Sequence, residues 1–211
     1  GEVETKPERM IAVLSWALSE MGERYRLLEM LNARDLEAYN RRVTKKGEAT
    51  LPRILIIIDE LADLMMSVPE QTEHALVRLA QMARATGIHL VVATQRPSTN
   101  VITGLIKANF PTRISFSVAS SVDSRVILDT PGAETLLGRG DLLYLNPEIG
   151  SPIRAQGVFV TDREIERVVS FWKKLNNENK EDTPWETMVT QLAGGEDEDA
   201  LLAKAIEIIK R

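Results

Sequence analysis

Residues 54–60 read ILIIIDE: five consecutive apolar residues, Ile54 to Ile58, followed at once by Asp59 and Glu60. A run this short, with isoleucine at four of its five positions, predicts a strand covered on both faces, because a half-exposed strand would alternate apolar with polar. Outward from it, further short apolar runs follow: IHLVVAT (88–94), RISFSV (113–118), DLLYL (141–145) and IRAQGVFV (153–160). Helical stretches fall at about 71–86, at 121–128 and at 162–175. Strands alternating with helices predict an α/β fold, a mainly parallel sheet flanked by helices. Gly87 marks the end of one helix, and Thr161 with Glu164 marks the start of another.

Upstream, Ile11, Leu14, Leu18, Met21, Tyr25 and Leu28 recur three and four apart, the apolar stripe of a long opening helix over residues 5–31. Thr5 and Glu8 have the spacing of a capping box, and Pro7 sits where a first-turn N–H needs no partner. Asn40 to Pro52, with Arg41, Arg42, Lys45, Lys46 and Gly47, reads as a polar surface loop. Beyond Leu175, NNENKEDTP (176–184) and GGEDED (194–199) read as linkers, and LLAKAIEIIKR (201–211) as a short amphipathic helix. The expected division is a helical lead-in over 1–50, an α/β core over 51–175, and linkers with short helices over 176–211.

Composition removes several chemistries. The 211 residues contain no cysteine and only two histidines, His74 and His89, so thiol nucleophiles and thiolate zinc sites are excluded and any metal must use oxygen ligands. No serine elbow of the GxSxG type is present. The formal charge of −5 offers no global field for nucleic acid, so any such surface must be local. No apolar stretch approaches the ~20 residues that span a bilayer, and no signal-peptide pattern opens the chain. The expected location is the cytoplasm.

Four hydrophobes and two acids at a strand end form the Walker B pattern. In it one carboxylate, here Asp59, holds Mg²⁺, and the second, Glu60, orients the water that attacks the γ-phosphate of ATP. The competing reading has Asp59 only capping the following helix. The surrounding text narrows the choice. LPRILIIIDELADLMM (51–66), RLAQMARATGIHLVVATQRPS (78–98), VITGLIKANFPTRISF (101–116) and DSRVILDTPGAETLLGRGDLLYL (123–145) strongly resemble the motor domain of the FtsK/SpoIIIE DNA translocases. The likeness runs from the opening helix through GVFVTDREIERVV.

The resemblance implies a RecA-like P-loop NTPase core and a hexameric ring that pumps double-stranded DNA in chromosome partition and cell division. It also implies anchoring of the intact protein to the inner membrane through a separate N-terminal region. One departure stands out: no GxxxxGK[ST] phosphate loop occurs anywhere, and GRGD at 138–141 lacks both spacing and lysine. The family carries that loop upstream, so the chain is expected to be the downstream, N-terminally truncated part of a motor. Apart from its missing Walker A half, it is expected neither to bind ATP tightly nor to hydrolyse it.

Thr94, Gln95 and Arg96 follow a strand and face the same end as Glu60; the resemblance gives Gln95 the sensing of the γ-phosphate, against a plain turn role. Arg113 and Arg125 are the candidates for an arginine finger, the alternative being ion pairs with Asp123 or Asp129. From His74 to Val122 there are 49 residues without Asp or Glu, where the average of this chain would place about seven. Arg96, Lys107 and, from a second loop over 146–154, Arg154 are the candidate DNA-phosphate contacts; solvated surface charge is the alternative for Lys107 and Arg154. Met65, Met66, Trp16 and Trp172 read as packing residues. Two other functions remain open at this point: a related coupling ATPase that moves protein, and a noncatalytic fragment that needs a partner bearing the phosphate loop.

Overall fold

The computed structural model describes residues 3–176 and 183–193. Contacts divide them into two compact units, one from residues 3–96, 103–109 and 184–193, the other from 97–102, 110–176 and 183. The linker GGEDED and the helix expected at 201–211 lie outside the described residues.

In the first unit, α1 (Pro7–Met30) buries Ile11, Leu14, Met21 and Leu28 of the expected stripe, with Ala12 and Ala17 beside them, while Leu18 and Tyr25 are only half-buried. Its cap differs from expectation. Lys6 is the N-cap and no side chain bonds there; Pro7 alone supplies the start signal. Arg24 is buried, with Nε on Glu20 at 2.7 Å and Nη1 on the carbonyls of Pro52 at 2.7 Å and Thr86 at 3.0 Å. These bonds satisfy the buried charge and tie α1 to the chain on either side of the next helix pair.

Residues 40–46, expected in a loop, are helical. They belong to α2 (Leu36–Lys46), capped by Asp35 and closed at Gly47 in the left-handed conformation, φ 75°. Leu36, Tyr39 and Val43 bury one face, and Tyr39 and Val43 pack with Leu28. Asn40 then bonds both N–H and C=O of Leu51, guiding the chain into β1 (Ile54–Ile58).

Two helices, α3 (Leu61–Ser67) and α4 (Pro69–Thr86), carry the chain from β1 to β2 (Ile88–Val92). The strands pair in parallel from Ile54↔Ile88 to Ile58↔Val92. The α4–β2 corner requires glycine: Gly87 has φ 77°, and a Cβ there would lie 2.2 Å from Leu36 Cδ2. Burial of the strand pair is one-sided. Ile56 and Ile88 are buried, whereas Leu55 (60%), Ile57 (66%) and Val91 (50%) are exposed, so no described element covers the second face that the apolar run predicts to be packed. Of the two methionines expected in the core, Met65 is buried and Met66 is exposed. The unit is completed by α5 (Gly104–Asn109), on α4, and α8 (Glu186–Ala193), on α1. Trp16 anchors α8, its ring 5.6 Å from that of Trp185.

The second unit corrects the expectation of a mainly parallel sheet. Its three strands, β3 (Arg113–Phe116), β4 (Asp141–Leu145) and β5 (Pro152–Gln156), form an antiparallel sheet in the order β3-β4-β5. The parallel component is the β1–β2 pair. Helix α6 (Ser121–Leu128) opens with a capping box between Ser120 and Asp123 and buries Leu128 against Ala133, Leu136 and Leu145. The last helix of this unit, α7 (Asp162–Asn176), starts at Thr161, whose N–H and hydroxyl both donate to Glu164 as the sequence predicts. Its apolar residues are exposed; Trp172 meets the ring of Phe171, 5.7 Å between centroids, yet stays 64% exposed, so it packs on its chain neighbour and not on a core. No helix among the described residues is long and apolar enough to cross a membrane.

Candidate active-site carboxylates and their neighbours

Asp59 and Glu60 leave β1 at its carboxyl end and diverge immediately. Asp59 is exposed and its carboxylate makes no hydrogen bond among the described residues. Glu60, not Asp59, caps the following helix: its Oε1 accepts from the N–H of Ala62 at 3.0 Å. The same oxygen accepts from the Thr94 hydroxyl, and Oε2 accepts from the N–H of Gln95 at 2.9 Å. The backbone explains why β2 delivers those donors. Ala93 donates to Ile58 O and accepts from the N–H of Leu61, each at 2.8 Å, so the end of β2 is stitched across the β1–α3 corner.

Burial pushes the Glu60 carboxyl up. Hydrogen bonds from Thr94, Gln95 and Ala62, with the nearby Arg96 charge, outweigh that and hold it below the ordinary glutamate range. It is therefore ionised at neutral pH and stabilised mainly by neutral donors. The Gln95 side chain is exposed and makes no hydrogen bond among the described residues. Arg96 is exposed as well, donating its N–H to Thr94 Oγ1 at 3.1 Å and Nη1 to Met66 Sδ at 3.1 Å. Asp59, Glu60, Thr94, Gln95 and Arg96 thus share one end of the β1–β2 pair. Lys107 stands half-buried on α5 of the same unit.

The other candidates lie in the second unit and differ in how firmly they are held. Arg113 is mostly buried (18% exposed), its Nη1 bonding Asp129 at 2.8 Å and the carbonyl of Ile127 at 2.9 Å. Arg125 is exposed, and among the described residues its Nη1 bonds only Ser121 on its own helix, 3.2 Å from Oγ and 3.4 Å from O. Arg154 makes a bidentate pair with buried Asp141, 2.9 Å and 2.6 Å. That arginine, followed by the N–H of Leu137, holds the Asp141 carboxyl down at about 2. Asp141 escaped the reading of the sequence as an anchor, although an acid opening an apolar strand signals an inward charge in need of a partner.

The profile of the FtsK/SpoIIIE family matches residues 1–99. Over 213 aligned residues, 98% of this chain, it is 52% identical to the DNA translocase FtsK of Clostridium acetobutylicum. The chain belongs to the FtsK/SpoIIIE family. It is 55% identical over 168 residues, 79% of its length, to the DNA translocase SftA of Bacillus subtilis. It spans 28% of the first relative and 18% of the second. Among solved structures, the pCW3 conjugation coupling protein TcpA, in its monomer form with ATPγS, is similar over 82% of this chain and 51% of TcpA, with TM-score 0.71 and 29% identity. The fold is accordingly that of the RecA-like P-loop motor ATPases, with the FtsK/SpoIIIE sequence running through both units.

Proposed function

We propose that the chain is part of an ATP-driven motor that translocates double-stranded DNA. The carrying observation is the Asp59–Glu60 pair at the carboxyl end of β1, with Glu60 secured by the end of β2, in a sequence 52% identical to a DNA translocase. Asp59, exposed and without a hydrogen bond among the described residues, suits a hard cation that prefers oxygen: Mg²⁺ typically takes one or two carboxylates, with water and substrate phosphates completing its shell. When bound, Mg²⁺ neutralises charge on the triphosphate.

Glu60 orients and polarises the attacking water, and Gln95, neutral and exposed beside it, senses the γ-phosphate without competing for the cation. Arg125 is the finger offered to a neighbouring subunit of a hexameric ring; Arg113, committed to Asp129, is its anchor in the fold. Arg96 is the foremost DNA-phosphate contact, with Lys107 and Arg154 as further ones. Membrane anchoring belongs to the intact protein.

The test is Glu60→Gln in the intact gene product. The amide keeps the side chain's size and removes its charge, so steady-state ATP hydrolysis falls by about 10²- to 10⁴-fold while nucleotide binding persists. Unimpaired hydrolysis in the variant removes Glu60 from its role. The present chain, run beside it as a control and lacking a GxxxxGK[ST] loop, shows neither tight ATP binding nor turnover. A second reading is a related coupling ATPase that moves a protein substrate; likeness to the conjugation coupling protein TcpA supports the coupling role and names no cargo. Rates indifferent to added duplex DNA select it.

A further inference from the structure

Glu60 would need accessible lone pairs to hold a water, yet both its oxygens are already engaged. Oε1 receives Ala62 N–H and the Thr94 hydroxyl, and Oε2 receives Gln95 N–H. Of roughly four acceptor positions on a carboxylate, three are filled from within the chain. The Ala62 bond is a local helix cap. The other two come from consecutive residues at the end of β2, and the next residue closes the circuit, since Arg96 N–H donates to Thr94 Oγ1 at 3.1 Å. Thr94 therefore accepts from the backbone of the candidate DNA contact and donates to the candidate water-orienting carboxylate.

We propose that Thr94 is a latch: its hydroxyl restrains Glu60 while Arg96 has no phosphate to hold, and DNA engagement at Arg96 releases it. The inference rests on the reading of Glu60 as the residue that orients water. The force is supplied by an imbalance at Arg96. Among the described residues its guanidinium lies near the Glu60 charge but donates a hydrogen bond only to the Met66 thioether, a weak acceptor, at 3.1 Å. A phosphate oxygen accepts a charge-assisted bond of about twice the strength of a neutral one, so DNA displaces the sulfur. Met66 is 68% exposed and opposes no such movement. As the Arg96 side chain turns to phosphate, its backbone N–H leaves Thr94 Oγ1. The hydroxyl, freed of its fixed acceptor geometry, rotates away and opens an acceptor site on Glu60. Hydrolysis is thereby tied to the presence of track.

Thr94→Val removes the hydroxyl at constant shape, and Thr94→Ser restores it. In the intact gene product, ATPase rates are measured with and without duplex DNA. For Thr94→Val the DNA-free kcat rises about tenfold, the scale of one lost hydrogen bond to a charged group, and the DNA-stimulated rate changes little, so the stimulation ratio shrinks. KM for ATP is unchanged, and Thr94→Ser restores the wild-type ratio. A DNA-free rate that stays level or falls in the valine variant overturns the latch, a fall with an intact ratio meaning that Thr94 merely holds Glu60 in its working pose. If valine fails to fold, Thr94→Ala takes its place: it removes the same hydroxyl, so the stimulation ratio must shrink as it does for valine, and a normal ratio overturns the proposal. Wild-type protein without DNA-stimulated hydrolysis removes the underlying reading itself, and is recognised before any variant is compared.

Discussion

Each unit places a carboxylate and an arginine near a strand end, and they are handled in opposite ways. In the second unit Asp141 and Arg154 neutralise one another through two parallel bonds. In the first, Glu60 is held by a hydroxyl and two backbone N–H groups, and Arg96 rests against a thioether. Both arrangements satisfy a carboxylate, but only that of the first unit leaves net charge of either sign to act on something else. A fully matched ion pair positions a strand; an ion held by neutral donors keeps its field and its reactivity. The same contrast separates Arg113, bonded to Asp129, from Arg125, bonded among the described residues only to Ser121.

The sharpest way to break this distinction is to remove the two arginines in turn from the intact gene product. An arginine finger contributes about 10³ to 10⁵ in rate to phosphoryl transfer. Arg125→Ala should therefore lower ATP turnover by at least about a thousandfold while leaving the thermal unfolding curve in place. Arg113→Ala should do the reverse, costing about 2 kcal/mol of stability through loss of charge-assisted bonds to Asp129 and Ile127, with turnover per folded molecule largely retained. If Arg113→Ala silences hydrolysis in a stably folded protein, commitment to an internal partner is no guide to role.

The sequence made one half of this comparison legible and hid the other. The run ILIII, its strand boundaries and the acids after it emerge as read, because a continuous apolar run needs no tertiary information to be recognised. Which acid caps α3 was not legible: Asp59 and Glu60 are adjacent, and only the arrival of Thr94 and Gln95 decides that Glu60 turns inward. Strand direction was misread in the second unit, although a signal existed. Leu145 and Pro152 are joined by six residues, far fewer than the dozen or so a parallel crossover needs. Between β3 and β4 the helix α6 imitates such a crossover and yet returns the chain antiparallel. Helix α2 was hidden for another reason: Leu36, Tyr39 and Val43 straddle the point where the basic residues begin, so each half of its stripe was too short to count. The exposed face of Leu55, Ile57 and Val91 shows the limit of the apolar-run rule, which predicts covering without supplying the element that covers.

Titration gives a second, gentler separation. The Asp141 carboxyl is held down at about 2, below its ordinary 3.8, so the folded state binds its proton less readily than the unfolded state does. Its stabilising contribution is complete above the unfolded value and is lost as pH falls through about 4 towards 2. Asp141→Asn should thus lower the melting temperature at pH 7 and flatten its dependence on pH between 5 and 2. Wild-type and variant curves of equal slope across that window would show that the pair with Arg154 carries no protonation-linked stability.

The smallest expected effect tests whether the uncommitted arginine of the first unit meets phosphate. Each phosphate contact that a cationic side chain makes releases condensed counterion, so the salt dependence of duplex binding counts contacts directly. Arg96→Ala should reduce the slope of log affinity against log salt by about one per subunit contact, uniformly across DNA sequences. Arg154→Ala provides the comparison within the same assay. Its guanidinium is already neutralised by Asp141, so what its removal disturbs first is the β4–β5 pairing; an altered slope is expected only to the extent that its exposed edge also reaches the DNA. A larger slope change for Arg154 than for Arg96 would mean that ion-paired arginines remain free enough to release counterions, and the rule drawn from the two carboxylates would fail at its weakest point, the long-range field.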